Sequence, residues 1–198
     1  MFVLFLNPCT LRGLTINKRS LTMRIVLLLA ALNLSASLYA QDKKTPSSGF
    51  RAEFLMHLDQ MEKKYTDMAN TIPADKYGYR PAEGVRSIGE VLMHCAGGNY
   101  FLLGFIGVKS DTPMNENFEK NADPKKATET IKASFALVRN TVLNMNDADM
   151  DKTVKFFGGK DATIRNVLFT TMNHQHEHLG QLIAYARANG ITPPWSAN

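Results

Sequence analysis

The chain has 198 residues, which is enough for one ordinary domain. Lys and Arg together number 23 against 18 Asp and Glu, and the formal net charge is +5. Four of the basic residues and none of the acidic ones lie in the first 40 positions, so residues 41–198 carry 19 basic and 18 acidic side chains. This near balance argues against the basic surface of a nucleic-acid-binding protein.

Residues 1–40 have the pattern of a leader that contains a signal peptide. Met23 and Arg24 form a short basic start, followed by an apolar run over 25–34 and small residues up to Ala40. The run is too short to span a bilayer, so we expect no membrane segment after cleavage near Ala40, although a retained anchor is an alternative. Translation starting at Met23 would explain the long amino-terminal region. The sequence therefore predicts a periplasmic or secreted protein.

Only one cysteine, Cys95, lies outside this leader. An exported protein with one thiol has no internal disulfide, so its hydrophobic core must hold it together. Residues 41–49 are mostly polar and predict a flexible tether. The folded domain is expected over 50–198.

The first two helical segments have clear ends. Apolar residues recur at helical spacing over 50–71, and Pro73 ends the pattern. His57 falls within that apolar stripe, which predicts core packing or, alternatively, a place in the lining of a pocket. Ser87-Ile88-Gly89-Glu90 is a capping box, and the second segment runs from it to about Gly107.

Two more helical segments follow a loop over 109–121 that carries no chemical signature. Asp123 as N-cap and Pro124 at the first helical position start the third segment. A short extended stretch is expected at 154–157, and the fourth segment covers 163–190. Four amphipathic helices without a strand-rich region predict an all-α, up-down four-helix bundle with long loops.

Three of the five histidines lie on the fourth segment. At about 100° per residue, His174 and His178 share one mostly apolar face, whereas His176 points toward solvent or a partner. Histidines at i and i+4 are a recurrent pair of metal ligands, but hydrogen-bonded core histidines would give the same pattern. His94 on the second segment can converge with the pair in a bundle core. Three imidazoles would leave coordination positions open, as in catalytic sites.

Other polar residues are weaker candidates. Gln181 lies one turn beyond His178 and can hydrogen-bond to a ligand or orient a water molecule, with ordinary polar lining as the alternative. Cys95 is expected to be a small core residue, because its direction differs from that of the adjacent histidine by about 100°. Glu177 points away from the histidine face and is a poor general base. The capping role of Glu90 already explains that residue.

Two motifs resemble the DinB-like superfamily of metal-binding four-helix bundles. They are Arg86-Ser87-Ile88-Gly89-Glu90-Val91-Leu92-Met93-His94 and His174-Gln175-His176-Glu177-His178-Leu179-Gly180-Gln181. The resemblance covers residues 50–195 and implies that one divalent ion, zinc, nickel or iron, is bound by His94, His174 and His178. The family often has Arg at the position of Leu179, which puts in doubt any substrate contact made by that arginine.

The superfamily includes thiol-dependent S-transferases, a maleylpyruvate isomerase branch and members without an assigned reaction, so the resemblance does not identify a substrate. Export disfavours dependence on a cytosolic thiol. We therefore predict a metal-dependent hydrolase or group (S-)transferase that acts on a small molecule, alone or as a homodimer. The alternatives are a metal- or ligand-binding bundle without turnover and a purely structural bundle.

The different directions of the histidines give a first test. His178→Ala is expected to strip the metal, because it removes a ligand from the shared face, whereas His176→Ala is expected to retain it. Elemental analysis of the mature protein and both variants measures the difference. Equal losses in the two variants would show that the helical phase assigned to residues 174–178 is wrong.

Overall fold

The computed structural model describes residues 45–196. The predicted leader over 1–40 and positions 41–44 of the predicted tether lie outside the described residues. Residues 45–48 precede the first helix and belong to no helix or strand. Across the described range, no helix has both the length and the hydropathy needed to cross a bilayer.

Four long helices form the domain. They are α1 (Gly49–Thr71), α2 (Ile88–Gly104), α3 (Pro124–Asn144) and α4 (Ile164–Ala188). Two short strands, β1 (Thr153–Lys155) and β2 (Asp161–Thr163), pair antiparallel between α3 and α4. Single 3₁₀ turns occupy Ala74–Lys76, Asp147–Asp151, Phe157–Gly159 and Pro194–Ser196. The prediction of an all-α four-helix bundle with long loops is confirmed.

Local chemistry sets the starts of α2 and α3 where the sequence predicted them. The Glu90 N–H donates to Ser87 Oγ at 3.3 Å, and the Ser87 N–H donates to a Glu90 carboxylate oxygen at 2.8 Å, which completes the capping box of α2. The Asp123 carboxylate accepts from the backbone N–H three residues further on at 3.0 Å, with Pro124 in the first position of α3. Gly190, with a φ of +73°, is the C′ residue that follows the end of α4.

Two predicted boundaries are wrong. The second helix ends at Gly104 rather than near Gly107, because residues 105–107 form tighter i→i−3 hydrogen bonds and Gly107 has a φ of +82°. The extended stretch expected at 154–157 is shorter, since β1 stops at Lys155 and the chain enters the Gly158-Gly159 turn.

His57 neither packs in the core nor lines the histidine cavity; its side chain is exposed. The buried face of α1 is centred on Phe54, Leu58 and Met61, and Leu55 provides its flank. A residue one position before Leu58 lies about 100° away from that position on a helix, outside the buried arc. The buried stripe of α1 is therefore narrower than predicted.

The helices do not pack in simple sequence order. Both α1 and α2 pack against α3 and α4, whereas α1 and α2 face each other across the bundle, as do α3 and α4. Near the start of α1, the Arg51 guanidinium donates to the carbonyls of Val142 and Leu143 at the end of α3, at 3.0 and 3.3 Å, so α1 and α3 are antiparallel. At the start of α2, a Cβ on Gly89 would stand 2.5 Å from the Ala122 carbonyl oxygen, just before α3 begins, so α2 and α3 are parallel.

At the start of α2, the Ile88 N–H donates to the Tyr79 carbonyl. The Tyr79 ring lies 6.0 Å from that of Tyr185 near the end of α4, so α2 and α4 are antiparallel. The helix directions are therefore up, down, down, up, and the alternation expected of an up-down bundle is interrupted between α2 and α3.

Residues 105–123, which we call the crossing segment, return along α2 to reach the start of α3. Phe118 anchors this segment: it is buried, and its ring lies 6.4 Å from that of Tyr100 on α2. The crossing segment thus packs along one side of α2.

A buried polar network connects three of the helices. The Asn99 amide on α2 donates to Ser134 Oγ on α3 at 3.0 Å. The Gln175 amide on α4 donates to Asn99 Oδ1 at 2.9 Å and to the Cys95 carbonyl at 3.0 Å. Because buried polar groups are costly to leave unpaired, these bonds favour one register of α2 against α4.

Asn99→Ala tests this network. The change leaves the side chains of Ser134 and Gln175 each with one partner fewer, and we expect the free energy of unfolding to fall by about 1–3 kcal/mol. Chemical denaturation measures it. Lys132→Ala on the exposed face of α3 is the control and should change the value by less than about 0.5 kcal/mol. Equal stability of the two variants would contradict a structural role for the network.

Candidate metal centre

Helices α2 and α4 bring together the three histidines that the sequence singled out. His94, His174 and His178 each offer one ring nitrogen, and these atoms all lie within 4.8 Å of one another. The Nε2 atoms of His94 and His174 are 3.1 Å apart. The ring centroid of His178 lies 4.6 Å from each of the other two. This arrangement allows the three side chains to bind one ion.

Hydrogen bonds to the outer nitrogens orient two of the rings. His94 Nδ1 lies 2.7 Å from Glu119 Oε1, and because an ionised carboxylate only accepts, Nδ1 donates. His178 Nδ1 lies 2.8 Å from Gln181 Oε1, and the Gln181 amide nitrogen donates to the Tyr185 hydroxyl at 2.9 Å. In the neutral form of each ring, donation through Nδ1 leaves Nε2 without a proton. This is the tautomer that binds metals, held by outer partners in the usual way.

The surroundings of His174 also fit a site for a cation. Its Nδ1 is buried and has no hydrogen-bond partner among the described residues. Burial, followed by the proximity of His178 and His94, lowers the pKa of His174 to about 4, and burial also lowers the pKa of His94. Near neutral pH these two rings are therefore uncharged, and their Nε2 atoms face each other at 3.1 Å. Without a cation, His174 Nε2 can donate to His94 Nε2; with its proton on Nδ1 instead, His174 would join His94 in offering an Nε2 lone pair to one divalent cation.

Gly98 makes room for the His174 ring. A Cβ at this position would stand 2.3 Å from Cε1 and 2.6 Å from Nδ1 of His174. Gly98 thus lets α4 approach α2 closely at this point. Gly97 instead faces the crossing segment, where a Cβ would stand 3.2 Å from the Phe118 ring.

Glu119 is the site residue that sequence reasoning missed. It lies on the crossing segment, within the loop over 109–121 for which the sequence indicated no chemical role. Besides His94, its carboxylate binds Arg86, whose Nε donates at 2.6 Å. Burial alone would raise the pKa of Glu119, but the hydrogen bonds from Arg86 and His94 outweigh it and lower the pKa. The group is therefore an ionised acceptor that positions His94.

The other candidates have ordinary surroundings. His176 is exposed, as its helical phase predicted. Cys95 is fully buried with Sγ 3.1 Å from the Tyr65 hydroxyl, and burial raises its pKa to about 12, so it is not a nucleophile. Glu90 remains in its capping box. Glu177 is exposed, yet it lines the cavity described next.

The histidine cluster opens into a cavity of about 530 Å³. This volume lies within the range of small-molecule sites, roughly 300–1,000 Å³. The walls come from α2, the crossing segment, the hairpin turn and α4. They are formed by His94, Gly97, Gly98, Phe101, Leu102, Met114, Glu119, Phe157, Thr170, Asn173, His174 and Glu177. Two of the three proposed ligands therefore border a space that can admit a molecule.

Gly98→Ala separates the metal centre from the stability of the fold. The new methyl group must displace the His174 ring, so we expect loss of bound metal. In a helix, Ala is more favourable than Gly by about 1 kcal/mol, which offsets part of the cost of displacing the ring. The free energy of unfolding should therefore change by no more than about 1 kcal/mol. Gly104→Ala on the same helix, where a Cβ meets nothing within 4 Å, is the control and should retain the metal. Metal content and thermal unfolding are measured together, and full metal content in Gly98→Ala would contradict the proposed packing.

Known proteins are similar to this chain in sequence and in fold. The sequence profile of the DinB superfamily matches residues 57–182. The protein YjoA of Bacillus subtilis strain 168 is 27% identical over 128 residues, which cover 64% of this chain and 82% of YjoA.

Solved structures agree in fold. A DinB-like protein from Bacillus cereus ATCC 10987 superposes with a TM-score of 0.59 at 21% identity, over 71% of this chain and 93% of that one. YfiT from Bacillus subtilis, described as a probable metal-dependent hydrolase with an unusual four-helix bundle topology, gives 0.59 at 14% identity, over 75% and 94%. Since the superfamily profile spans more than half of the sequence, the chain belongs to the DinB superfamily.

Proposed function

We propose that this protein is an exported, metal-dependent hydrolase of a small molecule, with one divalent ion held by His94, His174 and His178. The observation that carries the proposal is the convergence of three imidazoles, two of which border a cavity of about 530 Å³. The description of YfiT as a probable metal-dependent hydrolase supports the same reaction class. Three imidazoles suit zinc, nickel or ferrous iron.

The side chains around the cluster have separable tasks. Glu119 and Gln181 accept hydrogen bonds from the outer nitrogens of His94 and His178, which keeps both Nε2 atoms available. Arg86 keeps Glu119 ionised and in place. A bound divalent ion would supply Lewis-acid chemistry, polarising a substrate oxygen or activating water.

Hydrolysis also suits the proposed location. The leader predicted over 1–40 would deliver the protein to the periplasm or the medium, where water is the available nucleophile. Transfer to a cytosolic thiol, the other reaction class suggested by the family resemblance, would lack its co-substrate there. We therefore favour hydrolysis over S-transfer.

A metal-binding bundle without turnover is the alternative from a different class. It would have the ion enclosed by protein groups. Here His94 and His174 both line the cavity, which favours access of a substrate to the ion.

The proposal is tested by turnover. Protein loaded with zinc, nickel or ferrous iron is assayed against a panel of activated esters, lactones and amides. Because metal catalysis supplies several kcal/mol, His178→Ala and chelation should each lower turnover by roughly 100-fold or more, with recovery when metal is returned to the chelated protein. His176→Ala is the control and should remain active. Stoichiometric metal without turnover across the panel would instead support the non-catalytic bundle.

A further inference from the structure

Four phenylalanine rings form a cluster at the cavity. Phe101 lies in the last turn of α2, Phe105 directly follows that helix, and Phe156 and Phe157 lie in the hairpin between α3 and α4. Ring centroids are 5.1 Å apart for Phe105 and Phe157, 4.8 Å for Phe105 and Phe156, and 6.0 Å for Phe101 and Phe157. Phe101 and Phe157 also line the cavity.

Packing of the hairpin against α2 does not account for all four rings. Phe105 and Phe156 are partly buried, and theirs is the shortest of the three ring-centroid distances that join the hairpin to the end of the α2 region. Phe101 and Phe157 remain 56% and 49% exposed. Exposed aromatic surface at the wall of a cavity is a feature of ligand sites.

The hairpin that carries Phe157 is well defined. Strands β1 and β2 pair with Val154 opposite Ala162. Gly158 and Gly159, with φ of +64° and +74°, provide the left-handed turn that follows Phe157. Because this turn requires glycine, the ring is held by backbone geometry as well as by its aromatic neighbours.

The charges around the cavity restrict what can bind there. None of the described residues that line it is Lys or Arg, whereas Glu119 and Glu177 both contribute carboxylates. A negative charge on the part of a ligand distant from the histidines would therefore meet no compensating cation.

We propose that the substrate carries an uncharged aromatic or bulky apolar group, which packs on Phe101 and Phe157 while its polar, reacting end faces His94 and His174. This inference rests on the proposed function, since the same cavity must hold the reacting end. Phe101 and Phe157 would set specificity without taking part in the chemistry.

Three hydroxamates with one metal-binding head and different tails test this inference on the zinc-loaded protein. The probes are acetohydroxamate, benzohydroxamate and 4-carboxybenzohydroxamate, and calorimetry measures their dissociation constants. Burial of a phenyl ring should make benzohydroxamate bind roughly tenfold or more tightly than acetohydroxamate. The added carboxylate should remove most of that gain.

Single substitutions assign the gain to the aromatic wall. Phe101→Ala and Phe157→Ala are each expected to lower the ratio between the benzohydroxamate and acetohydroxamate affinities by about threefold or more. Both side chains are largely exposed, so the variants should fold. Phe169→Ala is the matched control, because Phe169 is 58% exposed and does not line the cavity; its ratio should equal that of the wild type.

The outcomes separate this inference from the proposed function. Binding of acetohydroxamate without a gain from the phenyl ring would overturn the aromatic wall and leave the metal centre standing. An unchanged ratio in Phe101→Ala and Phe157→Ala, with conversion of a dimer to a monomer in sedimentation, would assign the rings to self-association and overturn it as well. If the protein binds no metal, benzamide binding to the wild type, detected by NMR and lost in Phe157→Ala, would still support the wall.

Discussion

The register between α2 and α4 is the constraint on which the histidine cluster depends. Gln175 immediately follows His174, and its amide donates to the carbonyl of Cys95, which immediately follows His94. The buried bond thus joins the sequence neighbours of two proposed ligands. Sliding one helix by a turn would break this bond and separate the imidazoles, so the same contact that stabilises the core also sets the position of the site.

The crossing segment adds what two helices alone cannot provide. By returning along α2, it places Glu119 against His94. It also places Phe118 against α2 at Gly97, which has no side chain. One stretch of chain therefore supplies an anchor in the core, a hydrogen-bond acceptor for a ring nitrogen and part of the cavity wall. A shorter connection of the kind found in simple helical bundles would provide none of these.

Helical periodicity alone was enough to place His174 and His178 on the inner face and His176 outside, because their directions follow from one angle per residue. The caps at Ser87 and Asp123 could also be predicted from the sequence, since they depend on neighbours a few residues away. The role of Glu119 could not be predicted, because it depends on the crossing segment returning along α2. The prediction for His57 was wrong for a different reason. The width of the buried stripe depends on which helices pack against α1, and the sequence of α1 does not contain that information.

The up, down, down, up order has a consequence for how the chain assembles. Neither the α1–α2 pair nor the α3–α4 pair forms a packed hairpin, so α2–α3 is the one consecutive pair of long helices in the described domain with extensive contact. The interface between α1 and α3 and both interfaces of α4 join segments distant in sequence. Such a domain has a higher contact order than a bundle of consecutive hairpins, so slower folding is expected. Removing either terminal helix would expose the core along its whole length rather than leave a smaller folded unit.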